Sequence, residues 1–194
     1  MKTRVWILAA ALMLTVVGRV TGGTGPGELH GTAHAGARPV MDAVVWLDAP
    51  NAPPPAVTKP AILDQRNLEF LPHVLVVRVG TTVKFPNNDR VFHNVFSFKD
   101  GKKFDLGFYP INAVKYVTFD RAGVSRLFCN IHPGMAAYVI AVDSPYFASS
   151  GASGAFTIEA PAGRYTYHAW RAGGPPLSGS ARVDAATTLD VAWP

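Results

Sequence analysis

The chain has 194 residues, of which 48% are hydrophobic and 16% are charged, and its formal net charge is +5. A charged share so far below the usual value of about 25% excludes a disordered chain and a coiled coil. Its 18 glycines and 16 prolines are too few and too scattered for collagen or a low-complexity chain. The length is that of one domain or of two small ones.

The N-terminal segment has the features of an export signal. Lys2 and Arg4 precede an apolar run at residues 5–17, and small residues follow it. The run has the length of a signal-peptide core and is shorter than the roughly 20 residues of a membrane span. We therefore expect residues 1–22 to be a cleaved signal peptide and the mature protein to be periplasmic or otherwise exported. The alternative is an uncleaved N-terminal anchor, which would be the chain's one membrane contact.

Removal of this segment lowers the net charge, and export changes what is expected of the chain's cysteine. It leaves 15 basic residues against 13 acidic ones, a net charge of +2. No basic run remains, so nucleic acid is not an expected partner. Cysteines in exported proteins normally pair, yet this chain has only Cys129. A lone cysteine there is a core residue, an intermolecular bridge, or a reactive or metal-binding group.

Apolar residues recur with period two through most of the chain, which is typical of strands. The strands predicted in chain order are 74–79, 82–85, 92–98, 114–119, 124–129 and 137–143, with two more near 180–183 and 188–193. Glycine, proline and asparagine turns separate them, and no window of about a dozen residues has a helical stripe. The pattern predicts an all-β fold, either an antiparallel sandwich or a barrel.

Four residues carry the candidate chemistry. Cys129, His132 and Met135 follow one another at intervals of three in the segment FCNIHPGM, and His93 lies 36 residues before Cys129 on a predicted strand. Two imidazoles, a thiolate and a weak thioether are the ligands of a mononuclear type 1 copper site. The soft thiolate favours Cu(I), whereas the imidazoles accept both oxidation states.

Each of these residues also has an ordinary explanation. Cys129 and Met135 are common core residues, His93 is compatible with a hydrogen-bonded strand histidine, and His132 with a turn. Together they favour copper over zinc, because methionine is a poor zinc ligand. A dinuclear copper-thiolate centre needs two cysteines, and a copper oxidase needs paired His-x-His motifs, which the sequence lacks. We therefore do not expect an enzyme.

Residues 62–147 resemble the cupredoxin superfamily, in particular plastocyanin-like and methylamine-utilization-type exported proteins. The matching residues are Val79-Gly80-Thr81, Val83, Phe85, Asn87, His93-Asn94-Val95, Cys129-Asn130-Ile131-His132 and Met135. The spacing C-x2-H-x2-M is similar to the short ligand loop of amicyanin. The resemblance implies a Greek-key β-sandwich with one mononuclear type 1 copper ion, held by His93, Cys129, His132 and Met135.

The same resemblance implies further roles around the ligands. Asn94 is expected to tie the two ligand-bearing loops together. The histidine of the cysteine loop is expected to reach the surface through an apolar docking patch. The expected members of that patch are Ile131, Pro133 and Ala136, with Phe92 as a further candidate.

The flanks resemble a carboxypeptidase-regulatory, transthyretin-like module, through residues 36–45 on one side and 154–165 on the other. This implies a second small β-sandwich built from both ends, with the copper unit inserted between them. The alternative is that the N-terminal piece is the first strand of the cupredoxin, and the pairing of residues 44–47 distinguishes the two. The predicted segments are a signal peptide at 1–22, N-terminal strands with a Pro-rich linker at 23–57, a copper domain at 58–148 and a C-terminal β module at 149–194.

The remaining histidines receive no expected metal role. His30 and His34 lie in a Gly/Ala-rich stretch expected to be a mobile, solvated segment, although they are candidates for stray copper. His73 is expected on the surface, and His168 is expected to pack against its aromatic neighbours.

The sequence as a whole predicts an exported type 1 (blue) copper protein that carries single electrons. By analogy with the family, its partner is a transient redox protein such as a cytochrome or a dehydrogenase. The alternative is a periplasmic copper-handling protein that stores or delivers the metal. A storage role favours extra methionines and histidines near the site, and the sequence has few.

Overall fold

The structure, a computed structural model, describes residues 26–53, 59–98, 100–184 and 187–194. Throughout these ranges the chain forms strands, turns and loops without a helix, so the predicted all-β class is confirmed. The described part of the chain accordingly offers no helix that is long and apolar enough to span a bilayer. The predicted signal peptide and the second half of the predicted Pro-rich linker, residues 54–57, lie outside the described residues.

Eighteen strands are present in the described ranges. In chain order they are β1 (Pro26–Ala35), β2 (Arg38–Pro39), β3 (Val44–Leu47), β4 (Ala61–Ile62), β5 (Asp64–Arg66), β6 (Glu69–Leu71), β7 (Val74–Arg78), β8 (Thr81–Pro86), β9 (His93–Ser97), β10 (Phe104–Tyr109), β11 (Val114–Phe119), β12 (Gly123–Phe128), β13 (Ala136–Val142), β14 (Phe147–Ser149), β15 (Ala155–Pro161), β16 (Gly163–Trp170), β17 (Leu177–Val183) and β18 (Thr188–Trp193).

Strands β4 to β13 form a central sandwich. One sheet has the order β10-β9-β12-β13-β7 and the other the order β11-β8-β4, while β5 and β6 form a separate hairpin. Alternate residues along these strands point inward, and their apolar side chains pack into one buried cluster. The cluster includes Val83, Phe85, Phe119 and Leu127. Cys129 and Met135 belong to the same cluster, so two of the predicted ligands lie at the end of this core.

The flanking segments form a second sandwich, as predicted. Its sheets have the orders β15-β1-β18, with β2 beside β1, and β14-β3-β16-β17. Strand β3 pairs antiparallel with both β14 and β16, so it is part of the flanking sandwich. The two chain ends therefore share one core, which includes Leu29, Ile158 and Val191. The likeness of this module to a carboxypeptidase-regulatory domain, and the domain boundaries, stay predictions.

The two sandwiches share a buried apolar seam. Alternation along β3 sends Val45 and Leu47 into the flanking core, whereas Val44 and Trp46 pack on the central sheet against Ile140 of β13. A strand that is buried on both faces has a sequence of consecutive apolar residues, which explains the sequence VVWL of β3. The seam fixes the flanking module against the sheet that carries Cys129.

Two expectations about the flanks need correction. His30 and His34 do not lie in a mobile segment, because both are part of β1, which pairs with β15 and β18 over most of its length. His34 also forms an ion pair with Asp190 at 2.8 Å. The sequence predicts no strand at residues 144–153 either, yet β14 lies there. His73 is exposed as expected, and His168 packs on Trp46 with a ring distance of 5.3 Å.

Candidate metal centre

The strand order brings the predicted ligands together. His93 is the first residue of β9, and Cys129 directly follows β12. These two strands are neighbours in the sheet, where Phe96 pairs with Phe128. His132 and Met135 lie in the loop that leads from β12 into β13. The strand that carries His93 and the loop that carries the other three ligands therefore meet at the same edge of the central sandwich.

Three donor atoms form a compact triangle. The Sγ atom of Cys129 lies 3.9 Å from Nδ1 of His93 and 3.7 Å from Nδ1 of His132. The two Nδ1 atoms are 3.1 Å apart. Within the described residues, this trio is the one group of three or more His, Cys, Asp or Glu side chains whose ligand atoms lie close enough together to hold a metal ion.

The triangle has the size and chemistry that copper requires. A point in its plane that is equally distant from the three atoms lies about 2.1 Å from each, close to the roughly 2.0–2.3 Å at which nitrogen and sulfur ligands hold a first-row metal ion. His93 is fully buried and Cys129 is 5% exposed. A set of one thiolate and two imidazoles, of which His132 alone is half-buried, matches the preference of copper in a trigonal site, so these residues fit the metal.

Met135 lies close to this trio along the chain and in the core. Its side chain is 1% exposed and packs in the same buried cluster as Cys129. Its backbone N–H donates to the carbonyl of His132 at 2.9 Å, which closes the ligand loop into a tight turn. The axial role of Met135 stays a prediction.

Sequence reasoning missed the partner of His93. The Nε2 atom of His93 lies 2.9 Å from a carboxylate oxygen of Asp89, whose side chain is 8% exposed. Because an ionised carboxylate only accepts hydrogen bonds, Nε2 carries the ring proton and Nδ1 keeps its lone pair for the metal. The spacing of four residues in DRVFH is the only hint of this pair in the sequence, and it is weak because the chain between them is irregular.

Asp89 is held in its ionised form. Burial by itself raises the pKa of this carboxyl group, but the backbone N–H groups of Leu68 and Arg90 and the ring of His93 together lower the pKa to about 2. The two backbone donors lie 2.7 Å from the carboxylate oxygens. Asp89 therefore carries its negative charge next to His93 at any ordinary pH, and this charge increases the basicity of the ligand nitrogen.

We expect Asp89→Asn to lower the affinity for copper about 10-fold to 100-fold. The amide can donate to Nε2 and thereby favour the ring tautomer with its proton on Nδ1, which cannot bind a metal. Competition with a chelator of known copper affinity measures the change. Asp120→Asn serves as the control, because it removes a carboxylate that pairs with Lys102 on the surface. Equal copper affinities for Asp89→Asn and the parent protein would remove Asp89 from the site.

Asn94 joins the two ligand-bearing segments, as the resemblance implied. Its Oδ1 accepts from the backbone N–H of Asn130 at 3.1 Å, and its Nδ2 donates to Asp105 at 2.7 Å. Asn94 is adjacent to His93, and Asn130 is adjacent to Cys129. One buried amide therefore fixes the separation of the two ligands and anchors it to β10.

A second buried polar group supports the turn that precedes His93. Asn87 donates to the carbonyls of Val91 and Tyr109 at 2.9 and 3.2 Å and accepts from the N–H of Asp89 at 3.1 Å. The hydroxyl of Tyr109 bonds to Gln65 in the core beneath, and burial raises its pKa. This network stiffens the turn, which restricts the motion of the histidine ligand.

The surface beside the ligand loop is apolar. Ile131 is 46% exposed and Phe92 55% exposed, and Pro133 is also exposed, whereas Ala136 is half-buried. His132 lies between Ile131 and Pro133 in the chain and is half-buried, whereas the other three predicted ligands are buried. The site thus reaches the surface at His132, whose two chain neighbours have no charge.

The fold and the donor set of the central sandwich are those of a mononuclear copper domain of the cupredoxin class. Residues 58–143 match the model of the plastocyanin/azurin family of copper-binding proteins, so this part of the chain is a cupredoxin domain and its cofactor is copper. No curated protein is a significant match to the chain.

Several solved structures are similar to the same part of the chain. A purple cupredoxin from Nitrosopumilus maritimus is 26% identical over 42% of this chain and 99% of its own, with a TM-score of 0.39. Amicyanin from Paracoccus versutus is 24% identical over 45% of this chain and 85% of its own, with a TM-score of 0.39. A copper-containing nitrite reductase from Thermus scotoductus is 23% identical, with a TM-score of 0.43, over 50% of this chain but only 25% of its own length.

Proposed function

We propose that this protein is an exported carrier of single electrons with one type 1 copper ion, and not an enzyme. The observation that carries the proposal is the compact triangle of Cys129, His93 and His132, whose sides are 3.1 to 3.9 Å. When bound there, copper supplies a one-electron couple between its two oxidation states.

The surroundings of the triangle favour fast electron exchange over catalysis. Asp89, Asn94 and Asn87 hold the ligands or their segments by hydrogen bonds, so the site needs little rearrangement when its charge changes. His93 is fully buried and Cys129 is 5% exposed, so solvent has little access to two of the three donor atoms. A site held in this way suits a carrier.

The partner in this proposal is a second redox protein, in the manner of a cytochrome or a dehydrogenase, that docks for a short time. The exposed apolar side chains beside His132 support this, because small, weakly charged contact surfaces suit transient encounters. Export to the periplasm is part of the proposal and rests on the N-terminal segment alone.

An optical and electron paramagnetic resonance spectrum of the copper-loaded protein tests the site. We expect an intense visible thiolate-to-copper band with narrow copper hyperfine splitting, and reversible one-electron voltammetry with fast self-exchange. A colourless Cu(II) form would contradict the type 1 site. A coloured site with slow, irreversible reduction would favour copper storage or delivery instead.

His132→Gly should open the one ligand position that lies near the surface. The variant is expected to lose its type 1 spectrum, and added imidazole should restore it, because the half-buried ring of His132 leaves a gap that connects to solvent. His93→Gly is the matched variant, since His93 is fully buried, and imidazole should not rescue it. Equal rescue of both variants, or of neither, would contradict an exposed position for His132.

A further inference from the structure

A cavity of about 410 Å³ lies between the two sandwiches, and none of the four predicted metal ligands lines it. We call it the seam cavity. The flanking sandwich contributes the connection from β2 to β3 and the segment after β16, and the central sandwich contributes His73 and Val74. Ligand sites form preferentially at such interfaces between domains, and neither sandwich forms this cavity by itself.

The seam cavity has an excess of positive groups. Arg38 and Arg171 both line it with their permanent charges, whereas Asp42 is the single carboxylate among its lining residues, and the ring of His73 lies there as well. Neither arginine forms an ion pair with a described carboxylate, Asp42 included. His73 donates from Nδ1 to the carbonyl of Ala136 at 3.1 Å, so its second nitrogen is not used by that contact. Two permanent cations therefore line one open-sided cavity, and neither pairs with its single carboxylate.

Arg171 is held in place before any ligand arrives. Its guanidinium lies over the ring of Trp193, 5.6 Å from the centroid. The backbone of Gly174 packs so closely that a Cβ atom there would lie 2.6 Å from the Nε of Arg171. That Nε atom is buried and has no hydrogen-bond partner in the described structure. A rigid, unsatisfied cation loses little entropy on binding an anion, and leaving it unpaired costs free energy.

We propose that the seam cavity binds a small organic carboxylate. A guanidinium group pairs with a carboxylate through two parallel hydrogen bonds, and two arginines supply two such groups. Apolar residues, among them Val40, Met41 and Val74, complete the lining, which suits the carbon chain of an organic acid more than the polar faces of inorganic phosphate. The volume is within the range of about 300–1,000 Å³ that holds small ligands.

The test is a titration of the purified full protein, in its copper-free and copper-loaded forms, with acetate, succinate, inorganic phosphate and chloride. Calorimetry and amide NMR shifts at Val74 and Ala172 are the readouts. We expect succinate to bind more tightly than phosphate and chloride. We also expect its affinity to be the same in both forms, because none of the metal ligands lines the cavity. The result therefore does not depend on whether the proposed electron-carrier function holds.

Substitutions assign the binding to the seam cavity. Arg38→Gln and Arg171→Gln should each weaken succinate binding about tenfold or more, since a hydrogen bond to a charged group is worth roughly 1.5–3 kcal/mol. Gly174→Ala should also weaken it, although it keeps both charges, because the new Cβ displaces Arg171. Arg164→Gln is the matched control, since Arg164 lies on β16 outside the cavity, and it should bind like the parent protein.

Three results would overturn the proposal. The first is the absence of saturable succinate binding in the parent protein. The second is tighter binding of phosphate or chloride than of either carboxylate, which would reassign the ligand. The third is an equal loss in Arg38→Gln and Arg164→Gln, because that would show a general charge effect. Arg38 is exposed, so its variant is expected to fold even if Arg171→Gln does not.

Discussion

Cys129→Ser is expected to abolish the visible thiolate-to-copper band completely and to weaken copper binding strongly. A hydroxyl group cannot form the soft, covalent sulfur bond on which the colour and the preference for Cu(I) depend. The change removes little volume, so the sandwich should fold as before, with a free energy of unfolding of the copper-free protein within about 2 kcal/mol of the parent. Absorption spectroscopy and a denaturant titration measure the two effects.

Asn130→Ser is the control for this experiment. Asn130 is next to Cys129, its side chain is exposed, and its contact with Asn94 uses the backbone N–H. The control should stay coloured and bind copper like the parent. A blue Cys129→Ser protein would show that the ligand assignment is wrong, whereas loss of folding in this variant alone would make Cys129 a packing residue first.

Met135→Gln and Met135→Leu should shift the reduction potential in opposite directions. A distant thioether stabilises Cu(II) only weakly, so an amide oxygen, which is a harder donor, should lower the potential, and leucine, which has no donor, should raise it. Both variants should bind copper and stay coloured, because the three equatorial ligands remain. A shift of about 59 mV corresponds to a tenfold change in the equilibrium constant of a one-electron couple, and we expect shifts of that order.

Voltammetry on the two variants separates an axial role from simple packing. Met135 is 1% exposed in the core, so both substitutions are also expected to cost some stability. If packing is its whole role, the two potentials will equal that of the parent and only the denaturation midpoints will move. Shifts of the same sign in both variants would equally speak against an axial donor.

The aromatic face of β9 shows where sequence reasoning was incomplete. The alternation of residues 92–98 separates His93, Val95 and Ser97 from Phe92, Phe96 and Phe98, and it does not say which set lies inside. In the structure the histidine face is buried, whereas Phe92 and Phe98 are more than half exposed. The larger apolar residues lie outside because Phe96, Phe98 and Phe128 stack on one another across β9 and β12, which covers part of their surface.

Strand β10 and strand β14 were not predicted, for two different reasons. Strand β10 contains Gly107 with a positive φ and a register shift between Asp105 and Phe108, and a bulge of this kind interrupts the alternation from which strands are recognised. Strand β14 has only three residues, and it exists because β3, about a hundred residues earlier, offers it an edge. A short segment contains too little pattern to reveal a distant partner.

By itself, the sequence determined the all-β class through its alternation and the four candidate ligands through their residue types and spacing, whereas the second sandwich made from both chain ends rested on a resemblance and stood beside an alternative. Only the tertiary structure decided that Asp89 supports His93, that Val44 and Trp46 are buried in a seam, and that Arg38 and Arg171 face one cavity with His73. These relations join residues whose separation in the chain carries no information about their distance in space, because strand order, and not sequence order, sets which side chains meet. The metal ligands could therefore be predicted from residue types, whereas the groups that orient and surround them could be identified only from the tertiary structure.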